Sequence, residues 1–375
     1  MLIKRHIQDF VYWVDTAHLN EIEIEEEQGA PLLAKGEIGL EQLLHHIADN
    51  LRGHRALSVF WQLTRSCNYH CPFCYIRDNS RRQLEATYEE IEELIECLLE
   101  EGLAKVVLTG GECLLSEHFD HLYTRLKSEG VLVTIYTNGS LFSESRRALF
   151  RKLPPYSVEV TLYDCDVASP PFATIEWLIE TGIPVLCKFT ATKSNIDHLE
   201  AIRQWCDERQ VDLRIDGRLF DGDNGIDAQV FSLEESTLIA LEKVQVGAVA
   251  LDRRPLEPHP RKALGCAAAK YGAYVSPEFK LGLCCDHPLL WDMRQEGVRK
   301  ALRLLHDFVD REKEASLIGC SGCEAQMLCE MCAAKAEIIE SSGETIYRVP
   351  MGYCDEVHAR FLSLAGRESE GLDDN

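Results

Sequence analysis

Thr64-Arg65-Ser66-Cys67-Asn68-Tyr69-His70-Cys71-Pro72-Phe73-Cys74-Tyr75 follows directly on an apolar run, Ser58 to Leu63, that reads as a buried strand. Its three cysteines stand at spacings of four and three. Three thiolates on one tight loop can hold three irons of a cubane [4Fe–4S] cluster and leave the fourth iron open to an outside ligand. A structural zinc site normally takes four protein ligands and closes its shell. Spacing alone leaves a zinc knuckle, or a set of reduced core cysteines, as alternatives.

Working outward, the chain has 375 residues and is 46% hydrophobic, enough for a large core and more than one domain. It has no apolar run long enough to span a bilayer. The start, Met1-Leu2-Ile3-Lys4-Arg5-His6, lacks the features of a secretory signal, so the cytoplasm is the expected compartment. Sixteen cysteines in a reducing compartment point to metal rather than to a disulfide scaffold. A formal net charge of −23 repels a polyphosphate backbone and argues against nucleic acid as a partner. The acidic stretch 365–375 is expected to be a disordered tail.

From Leu57 to Val244 short Val/Ile/Leu-rich runs alternate with amphipathic segments, which implies a parallel sheet. The expected strands are Ser58–Leu63, Lys105–Thr109, Leu132–Thr137, Ser157–Tyr163, Pro184–Thr190 and Asp212–Leu219. A first helix is expected over Thr87–Glu101, ended by Gly102, and another over Leu233–Val244. Periodicity does not separate a barrel from an open doubly wound sheet. In either, chemistry gathers at the C-terminal strand ends. Those ends carry the cysteine loop, then Thr109-Gly110-Gly111-Glu112, Thr137-Asn138-Gly139 and Thr161-Leu162-Tyr163-Asp164. On the fifth strand Lys188 and Thr190 share a face; pointing inward, Lys188 would meet a carboxylate, and a solvated rim position is the alternative. Ahead of the sheet, Asp9–Val14 and Glu21–Glu25 read as two strands, 25–29 as a turn and Leu40–Leu51 as a helix.

The cysteines resume late: Cys266, then Cys284-Cys285, then Cys320-x2-Cys323-x5-Cys329-x2-Cys332, then Cys354. Tandem C-x2-C pairs also suit zinc, but a gap of five is shorter than a zinc ribbon's. Cys97, Cys113, Cys165, Cys187 and Cys206 have no metal role; Cys97 and Cys206 are expected to be small core residues.

Taken together, these motifs resemble the radical SAM enzymes that carry a C-terminal SPASM extension, and in particular their peptide maturases. The signature C-x3-C-x-φ-C is met by Cys67, Cys71 and Cys74 with Phe73 as φ, and Gly110-Gly111-Glu112 matches the family's GGE turn. The resemblance implies an α/β partial (β/α)6 TIM-like barrel over 57–244. Residues 1–56 would be an N-terminal extension that packs on the barrel or, as the alternative, part of a leader-peptide-binding element, and 245–364 a linker and cysteine-rich SPASM domain. It implies S-adenosylmethionine on the open iron, Phe73 near its adenine and Glu112 on its ammonium, with Asn138 and Thr161 completing the shell. It further implies two auxiliary [4Fe–4S] clusters. Cys320, Cys323, Cys329 and Cys354 would hold the outer one, and Cys266, Cys284 and Cys332 the inner one, its fourth ligand being Cys285, Asp286 or an open position. Three features depart from the family. Cys113 replaces a proline, the loop after the fourth strand is short and lacks the usual arginine, and the last gap is x2 rather than x3.

The implied chemistry is hydrogen abstraction by a 5′-deoxyadenosyl radical from a ribosomally made precursor peptide, forming a crosslink or another oxidative change. A reducing electron donor and a separate leader-peptide-binding protein are the implied partners. Lys188 and Asp286 are the candidate catalytic residues. The alternative enzyme is a sulfatase-type maturase that makes formylglycine, with Asp286 as base. The alternative of another class is a non-catalytic iron–sulfur carrier or a zinc scaffold, for which the Gly-Gly-Glu turn has no use.

Overall fold

The computed structural model describes residues 2–7, 10–15, 21–26, 32–35, 44, 49, 53–76, 85–217, 219, 227–246, 260–325, 329, 331–341, 344–350 and 352–364. At the N-terminus β1 (Leu2–Ile7), β2 (Phe10–Asp15), β3 (Glu21–Glu26) and β4 (Leu32–Lys35) pair in order as an antiparallel meander. The two expected strands are β2 and β3; their partners β1 and β4 add to them. The helix expected over 40–51 lies outside the described residues except for Leu44 and Asp49, which are helical. The tail 365–375 also lies outside them.

The six strands drawn from the sequence are present as β5 (Ser58–Gln62), β6 (Lys105–Thr109), β7 (Leu132–Thr137), β8 (Ser157–Leu162), β9 (Val185–Thr190) and β10 (Asp212–Asp216). They are parallel and lie side by side in chain order. A doubly wound sheet reverses its order at a switch point, whereas a barrel winds one way. The strand order therefore settles what periodicity left open: an α/β fold of the partial-barrel kind. Each pair of successive strands is joined by a helix: α1 (Tyr88–Glu101), α2 (Phe119–Ser128), α3 (Glu144–Lys152), α4 (Pro170–Glu180) and α5 (Leu199–Arg209). The first forms where the apolar spacing placed it. Thr87 and Glu90 make a reciprocal capping box at its start, and Gly102 closes it at φ 98°.

Strand alternation divides the sheet into two faces. Val59, Trp61, Val106, Leu108, Val133, Ile135, Val158, Val160, Cys187 and Phe189 are buried in the core cluster that the helices also join. The other face carries Phe60, Tyr136, Thr161, Lys188 and Arg214, all of which line a cavity. Lys188 and Thr190 do share that face, opposite Cys187 and Phe189.

Beyond α6 (Glu235–Val246) and β11 (Pro260–Lys262), Cys266 caps α7 (Ala267–Tyr271) and β12 (Gly272–Val275) follows. This strand pairs in parallel with the free edge of β5, and β13 (Lys280–Gly282) and β14 (Leu290–Asp292) add on antiparallel, making nine strands. The sheet thus runs across the boundary expected at 245. Helices α8 (Met293–Glu296) and α9 (Val298–Glu312) lead into β15 (Ser316–Ser321), β16 (Glu337–Ser341) and β17 (Glu344–Arg348), which with β11 form a second small sheet. Helix α10 (Tyr353–Leu364) ends the described chain. Among the described residues no helix is long and apolar enough to cross a membrane.

Candidate functional site

The cysteine loop extends the β5/β6 ladder beyond the strands. Leu63 N–H donates to Thr109 O at 2.8 Å, Gly111 N–H to Thr64 O at 2.7 Å and Glu112 N–H to Ser66 O at 2.8 Å. Loop and Gly-Gly-Glu turn therefore lie backbone to backbone. A Cβ on Gly110 would stand 2.6 Å from Thr64 O, and one on Gly111 2.4 Å from Ser66 O. These glycines let the turn approach the cysteine loop itself, while also lining the cavity.

Glu112, expected on the cofactor ammonium, ends this turn. It is 1% exposed and is not among the residues lining the cavity. Its carboxylate accepts from Asn138 N–H at 2.7 Å, Thr137 Oγ1 at 2.9 Å and Leu114 N–H at 3.1 Å. Burial outweighs these donors and raises its pKa. Its carboxylate joins the ends of β6 and β7. Cys113, beside it, is wholly buried with its thiol directed at Tyr136 O, 3.3 Å away, so it is a core thiol.

Asn138 ties the end of β7 to the cysteine loop: its amide donates to Asn68 Oδ1 at 3.0 Å and lies 3.9 Å from Cys67 Sγ. Cys67, Cys71 and Cys74, all half-buried, face a cavity of about 730 Å³ at the C-terminal strand ends. Phe73, Thr161 and Tyr163 line it too. The ring of Phe73 sits 6.1 Å from Tyr163 and 6.4 Å from Phe231. Burial pushes the Cys71 thiol up to about 11, with Cys74 and Cys67 adding to the shift and a hydrogen bond with Tyr163 opposing it. Burial raises Cys67 as well. Left to themselves Cys67 and Cys71 keep their protons; a metal that binds thiolate would supply the missing positive charge. Three half-buried thiols facing a roomy cavity fit an iron–sulfur cluster with one open iron. Among the described residues no three His, Cys, Asp or Glu side chains converge as a single ion would require.

Lys188, Arg214 and Asp216 line the same cavity and, with the buried Glu159, form a charged quartet that sequence reasoning only touched. Lys188 Nζ lies 3.4 Å from Asp216 Oδ2, 3.9 Å from Glu159 Oε2 and 4.9 Å from the centre of the Tyr136 ring. Arg214 sits 3.4 Å from Asp216 and 3.8 Å from Glu159. Lys188 thus points inward and meets carboxylates. Glu159, Arg214 and Asp216 were missed, although each is a charge at an inward, alternating position of a strand, which was the available signal.

In the C-terminal region Cys320, Cys323, Cys329 and Cys354 lie within electrostatic reach of one another. Burial raises the Cys320 thiol, Arg261 opposes this, and Cys329, Cys323 and Cys354 raise it further. Partial burial, then Cys323 and Cys329, raise Cys354. Cys323 Sγ also lies 3.1 Å from His358 Nε2, a neighbour the spacing did not single out. Burial pushes Cys284 up to about 11, with Cys266 among the further causes. Among the described contacts none joins Cys332 to these two. Cys285 Sγ approaches Asp286 Oδ1 at 3.5 Å. Both lie near Tyr75, whose hydroxyl is raised first by burial and then by Cys285, Asp286 and Cys74. Neither lines the cavity.

Comparison with known proteins agrees with this geometry. Residues 61–182 match the radical SAM superfamily. The sporulation killing factor maturation protein SkfB of Bacillus subtilis is 28% identical over 178 residues, covering 44% of this chain and 43% of that protein. The S-adenosylmethionine-dependent nucleotide dehydratase RSAD2 of Danio rerio is 28% identical over 163 residues, covering 42% of this chain and 41% of that protein. The chain thus spans less than half the length of these curated relatives. Among solved structures, Streptococcus suis SuiB bound to precursor peptide SuiA superposes with a TM-score of 0.59 at 13% identity, over 89% of this chain and 94% of that one. The structure of anSMEcpe with bound AdoMet and Kp18Cys peptide gives 0.58 at 16% identity, over 83% and 97%. At such identities the likeness is one of fold. The matched span holds both the three-cysteine loop and the Gly-Gly-Glu turn, on strands wound in barrel order: this chain carries a radical SAM domain.

Proposed function

We propose that the chain is a radical SAM maturase acting on a ribosomally made precursor peptide, with Cys67, Cys71 and Cys74 as the ligands of its first [4Fe–4S] cluster. The observation that carries this reading is a single cavity lined by three thiols and by the charged Lys188, Arg214 and Asp216. The names of SkfB, a maturation protein, and of SuiB, solved with a precursor peptide, support it. A cluster with S-adenosylmethionine on its open iron would supply a 5′-deoxyadenosyl radical able to take an unactivated hydrogen.

The chain's own residues do the rest. Phe73 and Tyr163 give the cavity an apolar side that keeps water from the reacting centre. Asn138 fixes the cysteine loop against β7. Lys188, Arg214 and Asp216 offer both signs of charge to the polar groups of a peptide segment. Residues 1–56 would contribute to leader binding, alone or with a partner protein, and a reductase-type donor would deliver the electron. Cys320, Cys323, Cys329 and Cys354 are assigned to one auxiliary cluster, and Cys266, Cys284 and Cys332 to a second.

Anaerobic reconstitution tests the enzyme reading. About twelve irons per chain are expected for three cubanes, and reduction with S-adenosylmethionine should release 5′-deoxyadenosine. Full iron loading with no deoxyadenosine defeats it, and zinc in place of iron returns the scaffold alternative. Formylglycine formation is the second reading, favoured by Asp286 lying beside Cys285 and near Tyr75. Incubation with a cysteine-containing peptide and a hydrazide probe separates the two, because only formylglycine presents an aldehyde.

A further inference from the structure

We infer that His358 donates a hydrogen bond to the Cys323 sulfur of an iron–sulfur centre held by Cys320, Cys323, Cys329 and Cys354, and so raises that centre's reduction potential. The inference rests on the auxiliary-cluster reading above.

Two observations carry it. His358 Nε2 is 3.1 Å from Cys323 Sγ, within hydrogen-bond reach of sulfur. It also stands four residues after Cys354 on α10, so one helix face presents a ligand and a donor together. Independently, Arg261 is placed as if for an anion. Its Nη2 donates to Cys329 O at 2.8 Å, its charge opposes the upward shift of Cys320, and its Nη1 is buried with no hydrogen-bond partner among the described residues. Four thiolates around a cubane carry that negative charge. An N–H directed at a ligand sulfur stabilises the reduced, more negative state over the oxidised one, which moves the potential upward. His358 is thus a positioning and tuning residue rather than a ligand.

The test is a potentiometric titration of the reconstituted full-length protein followed by electron paramagnetic resonance. The C-terminal signal is identified as the one missing from Cys329→Ala. His358→Leu should keep the wild-type iron content and shift that signal's midpoint to more negative potential. His358→Gln, which keeps an N–H donor, should restore most of the shift. A C-terminal signal present in His358→Leu at an unchanged midpoint overturns the inference alone. Loss of iron in both His358 variants overturns it too, by making His358 a ligand. If Cys329→Ala removes no signal from the wild-type spectrum, the auxiliary-cluster reading itself falls, and the inference with it.

Discussion

Gly111 and Glu112 are neighbours in sequence with opposite tasks, and each can be tested by a single atom change. In Gly111→Ala the new Cβ would meet Ser66 O at 2.4 Å and Arg65 O at 2.7 Å, both backbone atoms that a rotamer change does not move aside. The expected cost is about 1–3 kcal/mol, as for overpacking generally, read as a lower midpoint in chemical denaturation, together with weaker iron binding at the adjoining Cys67. Glu112→Gln keeps the shape but places an NH2 at one of the two oxygens, facing either Asn138 N–H or the pair Thr137 Oγ1 and Leu114 N–H. Leaving a buried donor unmatched costs about 1–3 kcal/mol, so this variant should be less stable even before any cofactor is added. A Glu112→Gln protein as stable as wild type, failing only in cofactor binding, would make the carboxylate a cofactor ligand with no structural task. The motif was legible because its residues are contiguous. The destination of the Glu112 carboxylate was not, since Thr137 and Asn138 reach it only once β7 lies beside β6.

Between elements, α9 packs against the residues that lead into β5 through a pair of histidines, His54 buried and His306 half-buried. The rings of His54 and His306 stand 5.4 Å apart, His54 Nε2 lies 3.3 Å from Ala268 O, and His306 Nε2 lies 3.4 Å from Glu101, which also pairs with Arg55 at 3.0 Å. Burial, with the other histidine or Arg55 adding to it, pulls each pKa down to about 4, against the opposing pull of Asp310. Folded, both rings are neutral in the neutral range; unfolded, they titrate near 6.5. The unfolded chain therefore binds more protons between about 6.5 and 4, and stability must fall as pH drops through that window. A loss on the order of a few kcal/mol is expected from the pair, measured as denaturation midpoints at pH 7.5 and 4.5, and His306→Phe should flatten the slope. Elements of this kind were unevenly legible. The six parallel strands announce themselves as runs of Val, Ile and Leu. Strand β12, Gly272-Ala273-Tyr274-Val275, is four residues long, and its partner β5 lies some two hundred residues earlier, so no local pattern marks it. The quartet was half visible for the same reason: Lys188 stood out alone, while Glu159 and Arg214 become its neighbours only across β8 and β10.

At the scale of the molecule, the pairing of β12 with β5 makes the late cysteine region and the early cysteine loop parts of one sheet, and a buried ion pair pins them together. Arg65, between Thr64 and Ser66 of the loop, pairs with Glu278 in the turn between β12 and β13; both are 8% exposed. Arg65 also donates to Ile76 O at 3.2 Å, holding the far end of the loop. Nearby, Arg294 bonds both Glu90 oxygens of α1, at 2.6 and 2.9 Å, and Glu278 O at 3.1 Å. Removing one member of a buried pair strands the other's charge, at about 3–5 kcal/mol, whereas removing both is often close to neutral. Arg65→Met should therefore lower the thermal midpoint well below that of wild type, and Arg65→Met with Glu278→Met should recover most of the loss. Iron binding separates stability from site geometry. The double variant regains its fold but not the bond from Arg65 to Ile76 O, so its cysteine loop should still take up a cluster less completely than wild type does. Full recovery of both stability and iron would mean that the loop holds its shape through the β6 turn alone, with the C-terminal region contributing no more than a cover.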